Sequence, residues 1–377
     1  MSEKIYDLAV IGAGAAGMFA CIWAPKEMSK ILLEKNEKIG KKVLLSWGER
    51  CNVSNVDIKP EEDYFGSNKK ALYSLFKKFS NYDMIDWIES RWVKTHIEDR
   101  GRIILHSGKA QELLVLLESE LKKNNTEIRC NFAVEDVEKE WDIFIIRKKE
   151  SETGQIQVLK AKRVVVSSGG KSFAQVGTDG WGFRLAKKFD IALSEPYKWL
   201  CGMITKEDLK ELSGSTLFLE FQLFDDTKMI YSEYGSFLFT HFGLSGPLVF
   251  NGVIRLWEYL REKWIVEDDV TYIKDHINIR LIFNNEHMTK RVRDFFNLSE
   301  ENMGAQLRVN DLRTWAEAKV TGGGVLVDEL DKNFQSKKVP WLYFIGEVLD
   351  LTGKTWGFNL QVAWSAGYVV GKSFGEM

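Results

Sequence analysis

The N-terminal part of the chain consists of apolar segments separated by a glycine-rich turn. Residues 5–11 (IYDLAVI) predict a short buried strand, residues 15–24 a helix of small residues, and residues 30–34 (KILLE) a second strand. Pro25 ends the helix because proline lacks the backbone N–H that would continue it. The pattern predicts a strand, a helix and a parallel strand, which is how a doubly wound sheet begins.

Later segments extend the same architecture. Residues 69–95 and 110–123 show helical spacing of apolar positions, and residues 163–170 (RVVVSSGG) form an apolar strand that ends in a glycine pair. Residues 339–350 (VPWLYFIGEVLD) repeat the pattern of a buried strand, and residues 359–375 predict a helix rich in small residues. The fold class is therefore predicted to be α/β, with a chain that returns to its first, Rossmann-like domain.

The middle of the chain has a different character. Residues 197–242 contain aromatic-rich alternating segments (STLFLEFQLF and GSFLFTHF), which are typical of strands with one buried face. Residues 245–312 mix helical segments with one strand (HINIRLIF) and polar turns, and residues 40–55 are predicted to be a loop rich in Gly, Ser and Asn. A β-rich domain is therefore expected between the two α/β parts.

Composition removes several function classes. The 377 residues are 45% hydrophobic and 28% charged, which is typical of an ordered globular protein, and a formal net charge of −2 gives no general attraction to nucleic acid or membranes. The four cysteines form no CxxC pair, so neither a disulfide framework nor a metal site is indicated. The uncharged run 8–24 has the length of a signal peptide, but glycines divide it and Asp7 precedes it. We therefore expect a cytoplasmic protein with no membrane segment.

Gly12, Gly14 and Gly17 form a G-x-G-x-x-G motif between the first strand and the first helix. The first glycine permits the tight turn, the second lets a pyrophosphate approach the backbone, and the third lets the helix pack closely on the strand. Glu34 ends the next strand, where a carboxylate accepts hydrogen bonds from ribose hydroxyls and disfavours the 2′-phosphate of NADP. The motif therefore predicts a dinucleotide site.

The choice between FAD and NAD depends on the later strands. They end in glycine and polar residues at the same predicted edge: Ser168, Gly169, Gly346, Glu347 and Asp350. An extended dinucleotide along this edge favours FAD over NAD, and no second G-x-G-x-x-G follows a strand to mark a nicotinamide domain. We expect FAD as the cofactor and NAD(P)H as a transient electron donor.

A series of motifs then follows in order along nearly the whole chain: GKKVLLSWGERCNVSN (40–55), GR (101–102), SSGG (167–170), FTHFGLSGP (239–247), VTGGGV (320–325), GEVLDLTG (346–353) and GFNLQ (357–361). Together they resemble the BaiN/YhiN-type bacterial flavoproteins, also known as the aminoacetone oxidase family. Several separate motifs in the same order make a chance match improbable.

This resemblance implies a three-part architecture. A GR2-type FAD-binding domain of residues 1–192 and 320–377 is interrupted by a β-barrel-like domain of residues 193–247 and 275–319. The inserted domain contains a small helical insertion at residues 248–274, which is shorter than in the family. A wider boundary for this insertion would extend it to residue 312.

The resemblance also implies which residues contact FAD. Arg50, Cys51 and Asn52 are expected along the cofactor, Val134 at the adenine through its backbone, and residues 359–361 beside the flavin. With the residues of the motifs, the full predicted set is Gly12, Ala13, Gly14, Ala15, Ala16, Gly17, Glu34, Lys35, Lys42, Arg50, Cys51, Asn52, Val134, Ser168, Gly169, Gly346, Glu347, Asp350, Asn359, Leu360 and Gln361.

Four residues depart from the family pattern. Trp47 and Glu49 replace glycines of the GGGRCN loop, Trp356 replaces the first glycine of the GGxNLQ motif, and Trp181 stands where an aspartate is usual. We expect each of these side chains to point away from the cofactor or to reshape its pocket, because a glycine there would let the backbone approach the cofactor. The departures concentrate on the flavin side of the predicted site.

Two residues are candidates for catalysis. His241 is a candidate because histidine is a common catalytic acid or base, although its aromatic strand favours a structural role. Cys51 stands beside Arg50 but has no second cysteine nearby, which favours a packing or contact role.

Three functions are compatible with these features. The first is an FAD-dependent oxidoreductase that reduces a carbon–carbon double bond or oxidises a small amine, with NAD(P)H or oxygen as partner. The second is a uridine reductase that forms dihydrouridine in ribosomal RNA, with Lys41, Lys42 and Arg50 as the basic residues. The third is a non-catalytic FAD-binding module, which the tryptophans near the flavin motivate.

Overall fold

The computed structural model describes residues 4–46, 50–149, 156–265 and 270–376. Trp47 and Glu49, two of the predicted departures from the family, lie outside the described residues. The chain divides into two compact units, one of Met1–Ser194 with Gly322–Met377 and one of Glu195–Thr321. The three-part division into domains stays a prediction.

Unit 1 is built on a five-stranded sheet in which all neighbours are parallel. In spatial order its strands are Leu342–Phe344, Val164–Val166, Leu8–Ile11, Lys30–Leu33 and Thr126–Arg129. All four residues of both Leu8–Ile11 and Lys30–Leu33 are buried, as expected for a parallel sheet covered on both faces. The α/β, Rossmann-like fold class is therefore confirmed, including the return of the chain to this sheet near its C-terminus.

Helices cover this sheet. Ala15–Trp23 packs against the last helix, Phe358–Ser373, through Gly367 and Gly371, where an added Cβ would lie 2.6 Å from helix backbone oxygens. The other helices of unit 1 are Lys41–Leu45, Pro60–Asp63, Lys70–Lys78, Asn81–Glu89, Ala110–Lys123 and Trp181–Lys188. The predicted small-residue character of the first and last helices thus has a packing cause: the two axes approach closely.

Smaller sheets complete unit 1. Ile5–Tyr6, Ile156–Ala161, Ile143–Lys149 and Asp136–Glu140 form one, and Ser54–Asn55, Arg102–Leu105 and Thr95–Ile97 form another. Thr352–Gly353 pairs with Tyr64–Phe65. The strands Leu193–Trp199 and Val320–Val325 contain the two points at which the chain passes from one unit to the other.

The prediction of a continuous loop over residues 40–55 is wrong at both ends. The chain forms a short helix, Lys41–Leu45, and a short strand, Ser54–Asn55. Burial of Val43 holds the helix in place, and Gly40 lies so close to Leu114 that an added Cβ would stand 2.5 Å from its methyl carbon. The local sequence gives no sign of this distant partner.

Unit 2 is a closed six-stranded barrel. Around the barrel its strands are Met203–Thr205, Gly243–Ser245, Lys228–Thr240, Thr216–Asp225, Ile277–Phe283 and Gly304–Leu312, and its helices are Pro247–Glu262, Val270–His276 and Lys290–Phe295. Burial alternates residue by residue along Thr216–Asp225, which is the period-two pattern that the sequence showed. In the described parts of the chain, no helix is long and apolar enough to cross a membrane.

Candidate functional site

The turn between the first strand and the first helix requires glycine at two of its three motif positions. Gly12 has a φ of +105°, and an added Cβ there would lie 2.5 Å from the backbone oxygen of Ser167. A Cβ at Gly17 would lie 2.1 Å from the backbone oxygen of Gly12. The first glycine therefore fixes the turn, and the third lets the helix pack directly on it.

Gly14 differs from the other two glycines because a Cβ added to it would meet nothing within 4 Å. It is the N-cap of helix Ala15–Trp23, and no side chain caps that helix end. The first N–H groups of a helix and the positive end of its dipole favour an anion. The open space at Gly14 thus fits a phosphate group at the helix N-terminus, between Ala15 and Ala16.

Glu34 lies at the end of strand Lys30–Leu33 and is 8% exposed. One carboxylate oxygen accepts a hydrogen bond from the backbone N–H of Ala13 at 3.0 Å. The other accepts from the backbone N–H and the side-chain amide of Asn36, at 2.9 and 2.6 Å. These bonds hold the carboxylate beside the glycine turn, and its remaining lone pairs can accept ribose hydroxyls.

The neighbouring strand end brings Val134 toward the same place. The backbone N–H of Phe132, two residues before Val134, donates to the backbone carbonyl of Glu34 at 2.8 Å. Trp181, which stands where the family usually has an aspartate, donates its indole N–H to the backbone carbonyl of Glu135 at 3.0 Å. Lys35 forms an ion pair with Asp179 at 3.3 Å, half-exposed on both sides.

The strand end at residues 167–170 completes this half of the edge. Ser167 donates its hydroxyl to the carbonyl of Gly12 at 2.8 Å, and Gly169 has a φ of +75°. The hydroxyl oxygen of Ser168 is buried and has no hydrogen-bond partner among the described residues. Gly346 contacts the first helix from the last strand, since its added Cβ would stand 2.9 Å from the Cβ of Ala16.

Lys42 and Glu347 form a direct ion pair of 2.5 Å, with side chains 29% and 19% exposed. Ser172 contacts both partners, accepting from the Lys42 ammonium at 3.1 Å and donating to Glu347 at 2.9 Å. The structure thus brings together two residues that the sequence placed in the site from positions 305 apart.

Arg50 and Cys51 have opposite environments. The Arg50 guanidinium is 45% exposed and forms an ion pair with Glu98. Cys51 is fully buried and has a φ of +58°, in the left-handed region. Burial raises the pKa of the Cys51 thiol to about 11, against a smaller opposing effect of the Ser46 hydroxyl. Cys51 therefore keeps its proton at neutral pH.

Three buried side chains, Asn52, Asp350 and Thr355, have polar atoms without a hydrogen-bond partner among the described residues. Asn52 is 2% exposed, and neither its amide nitrogen nor its amide oxygen has a hydrogen bond. Asp350 is 1% exposed; one carboxylate oxygen accepts from the backbone N–H of Ser67 at 3.1 Å, and the other has no partner. The buried hydroxyl of Thr355 is also unpaired. Because native proteins rarely leave such groups unbonded, this cluster calls for a polar ligand.

The predicted residues 359–361 begin the last helix, but two of their side chains have internal roles. Asn359 bonds the backbone of Gly353 in both directions, at 2.8 and 3.0 Å. Gln361 is fully buried between Ser54 and Ser365. Leu360 is half-buried. The helix itself starts at Gly357 without a side-chain cap.

Asn55 has a role that the sequence analysis missed. Its side-chain amide is 1% exposed and donates to the carbonyls of Arg100 and Trp356, at 2.9 and 3.1 Å. Both residues have left-handed backbone, with φ of 58° and 76°. The partners of Asn55 lie far away in the sequence, so the sequence alone could not reveal this role. Its position at the end of the motif of residues 40–55 was the one sign that it is important.

His241 lies in unit 2, in the exposed turn between strands Lys228–Thr240 and Gly243–Ser245. Its ring packs edge-on against Phe242 with 5.1 Å between centroids. His241 therefore stays a prediction as a catalytic candidate.

The residues of this edge fit an extended dinucleotide. The open helix N-terminus at Gly14 suits a pyrophosphate, Glu34 suits a ribose, and the unpaired groups of Ser168, Asn52 and Asp350 offer donors and acceptors along the rest of its length. Parallel sheets bind ligands at the carboxyl ends of their strands, and Gly14, Glu34 and Ser168 directly follow the carboxyl ends of strands Leu8–Ile11, Lys30–Leu33 and Val164–Val166.

A family model described as "HI0933-like protein Rossmann domain" matches residues 6–373. The chain belongs to this HI0933-like family. The match covers almost the full length and confirms the resemblance to BaiN/YhiN-type proteins. The family is one of FAD-dependent oxidoreductases, in agreement with the predicted class.

Curated relatives and solved structures agree with this assignment. The chain is 28% identical to an Escherichia coli "Ribosomal RNA dihydrouridine synthase" over 96% of both proteins. It is 26% identical to a Clostridium scindens "3-dehydro-bile acid delta(4,6)-reductase" over 98% of this chain and 99% of the relative. In fold it is similar to the 3-ketosteroid Δ1-dehydrogenase of Sterolibacterium denitrificans, with a TM-score of 0.56, 12% identity and 99% of each chain covered.

Proposed function

We propose that this HI0933-like protein binds FAD along the carboxyl edge of its five-stranded sheet and reduces a carbon–carbon double bond conjugated to a carbonyl. The proposal is supported by the open N-terminus of helix Ala15–Trp23 at Gly14, the carboxylate of Glu34 held beside the glycine turn, and the buried polar atoms of Ser168, Asn52 and Asp350 that have no partner among the described residues.

Residues of this chain would hold the two halves of FAD in different ways. The N-terminus of helix Ala15–Trp23 and Glu34 would bind the pyrophosphate and the adenosine ribose, and Val134 would lie at the adenine. Asn52 and Asp350 would bind the flavin half with their unpaired amide and carboxylate. FAD supplies the two-electron chemistry when bound.

The substrate class follows from the chemistry that two relatives share. One relative is named for making dihydrouridine and the other for reducing Δ4,6 bonds of a 3-dehydro bile acid, and both names describe loss of a double bond conjugated to a carbonyl. Such a reduction adds a hydride to one carbon and a proton to its neighbour.

Uridine in ribosomal RNA is the second candidate substrate. It is favoured by two curated dihydrouridine synthases, from E. coli and Haemophilus influenzae, each 28% identical over at least 95% of this chain. A ribosomal RNA substrate would also place the protein in the cytoplasm. The formal net charge of −2 favours a small molecule instead, because RNA binding depends strongly on basic residues.

An anaerobic reoxidation experiment tests the proposal. Holoprotein reduced with NADH or NADPH is mixed with 2-cyclohexen-1-one or with uridine, and oxidised holoprotein is mixed with aminoacetone. Reoxidation of the flavin by the first or second compound is expected. Reduction of oxidised flavin by aminoacetone, with no reoxidation by the conjugated carbonyls, would instead assign amine oxidation. Failure of NADH and NADPH to reduce the flavin, together with no reaction of any compound, would favour the non-catalytic module.

Mapping dihydrouridine in ribosomal RNA decides the second candidate. A strain that lacks the gene should lose one dihydrouridine, and the gene restored on a plasmid should return it. An unchanged map would remove ribosomal RNA from the substrates.

A further inference from the structure

Arg100 and Trp356 form a stacked pair beside the candidate flavin end. The guanidinium carbon of Arg100 lies 4.5 Å from the centroid of the Trp356 ring, within the range of a cation–π contact. Both residues have left-handed backbone, and the buried amide of Asn55 bonds both of their carbonyls. A tryptophan at a φ of 76° is an outlier, because glycine is the residue that adopts this region without strain.

A second pair in unit 1 shows that such a stack is not by itself a ligand site. Trp341 has a φ of 70°, and the guanidinium carbon of Arg163 lies 4.8 Å from its ring centroid. This pair has a structural role: the carbonyl of Trp341 accepts from the backbone N–H of Val164, and Arg163 also faces the ring of Phe374 at 6.0 Å. Both residues precede strands, so this pair lies at the amino edge of the sheet.

The position of the Arg100–Trp356 pair differs in two respects. Trp356 directly follows Thr355, whose buried hydroxyl is unpaired, and directly precedes Gly357, where the last helix begins without a side-chain cap. Arg100 is exposed, and none of its N–H groups has an acceptor within the part of the chain that the structure describes. The pair thus presents an aromatic surface and free donors next to the candidate cofactor site.

We propose that Trp356 and Arg100 determine substrate specificity: a planar conjugated ring lies against the indole, and Arg100 donates hydrogen bonds to an anionic group on that ring. The inference rests on the proposed function, since it names the substrate class of the same site. A ring on the same face of the indole as Arg100 would meet the edge of the guanidinium, whose planar set of donors matches a carboxylate or phosphate in a bidentate geometry. Asn55 fixes the backbones of both residues and so sets the position of the pair.

Three small ring compounds serve as probes, and isothermal titration calorimetry measures their affinity for the purified protein. Orotate is a planar conjugated pyrimidine with a carboxylate, uracil is the same ring without the charge, and cyclohexanecarboxylate has the charge on a puckered saturated ring. The wild type is expected to bind orotate more tightly than uracil, and to bind cyclohexanecarboxylate weakest.

The variants separate the two residues. Trp356→Gly should weaken orotate and uracil binding about tenfold, because stacking of a ring on an aromatic side chain is lost. Arg100→Met should weaken orotate binding about tenfold and change uracil binding less than about twofold. Trp341→Gly is the matched control, because Trp341 also has a left-handed backbone and also packs against an arginine, Arg163. This substitution should leave the affinities for all three compounds unchanged.

Two further measurements separate failure of this inference from failure of the proposed function. FAD content and thermal unfolding are recorded for every variant, and glycine at position 356 should not lower the melting temperature because it removes the left-handed strain. Equal orotate affinity of the wild type and Trp356→Gly, with FAD retained in both, would overturn the specificity pair and leave the proposed function intact. Absence of orotate binding by flavin-loaded wild type would overturn it as well. A wild type that takes up no FAD would overturn the proposed function itself.

Discussion

The two ends of the carboxyl edge of unit 1 differ in how completely their polar groups are paired. At the ADP end, both oxygens of Glu34 accept hydrogen bonds from the protein, and Gly12 and Gly17 leave no room for a side chain. At the flavin end, Asn52 has no partner for either amide atom among the described residues, and Asp350 has one free carboxylate oxygen. The Glu34 carboxylate is therefore held in place by the protein alone, whereas Asn52 and Asp350 keep buried polar atoms that a ligand can pair.

The largest effect is expected for Gly17→Val at the ADP end. The new side chain would overlap the backbone oxygen of Gly12, which already lies 2.1 Å from an added Cβ, so unfolding should become easier by about 3 kcal/mol or more. Urea denaturation measures this. Gly14→Ala is the matched control, because a Cβ there meets nothing within 4 Å, and its stability should change by less than about 1 kcal/mol. Native stability of Gly17→Val would show that the turn is looser than described.

Glu34→Leu should lower the free energy of unfolding even without cofactor. The substitution leaves the backbone N–H of Ala13 and the amide of Asn36 without their acceptor, at a cost of about 2 kcal/mol. FAD affinity should fall in parallel. Denaturation of the cofactor-free protein, followed by titration with FAD, checks both effects; unchanged stability of the apoprotein would contradict the description of the ADP end as preformed.

A paired carboxylate far from the site provides a pH-dependent comparison. Asp7 lies at the amino end of strand Leu8–Ile11 and accepts from Ser29 and from Lys162 at 2.8 Å. Burial raises the pKa of Asp7, but these hydrogen bonds outweigh burial and hold its pKa at about 2, below the ordinary 3.8. Asp7 thus contributes stability that is complete above about pH 4 and is lost as the pH falls from about 4 toward 2.

Asp7→Asn should therefore destabilise the protein by about 1–2 kcal/mol at pH 7, with a discount for the exposure of the carboxylate. The difference from the wild type should shrink as the pH falls below about 4. Urea denaturation at pH 7, 5 and 3 measures it, and FAD affinity should not change. A constant difference at all three pH values would show that the bonds to Asp7 are not charge-dependent.

The smallest change in stability is expected for Asn52→Leu at the flavin end. Replacing an unpaired buried amide with an apolar side chain of similar size should leave the apoprotein as stable as the wild type or more stable, by up to about 1 kcal/mol. FAD affinity should nevertheless fall about tenfold. Together with Glu34→Leu, this variant separates the two ends: one substitution damages the apoprotein and the other only the complex. Equal losses of apoprotein stability in both would remove the distinction.

The sequence predicted those parts of the fold and site that local patterns determine. The buried strands, the glycine turn and the position of Glu34 follow from apolar runs and from the geometry that a strand, a turn and a helix impose. The small residues of the first and last helices also predicted close packing, although their pairing through Gly367 and Gly371 was visible only in the structure.

Contacts between distant residues could not be predicted in this way. The helix Lys41–Leu45 depends on Leu114, the Asn55 amide bonds residues 45 and 301 positions away, and closure of the barrel joins strands at opposite ends of unit 2. The left-handed backbone of Trp356 is also contrary to its residue preference, since only the surrounding structure enforces it. Trp356 stands where the family has a glycine, which indicated a change near the flavin, but the sequence did not indicate that Arg100 is its partner.

The most direct test of the account is the absorption spectrum of the purified protein, with the released cofactor identified by chromatography after denaturation. We expect the near-ultraviolet and blue absorption bands of an oxidised flavoprotein, and release of FAD, not FMN, at about one molecule per chain. Anaerobic titration with NADH and with NADPH should then bleach the blue band. A colourless protein that takes up no FAD when the cofactor is added would contradict the account, because the unpaired groups at the flavin end would then need another ligand.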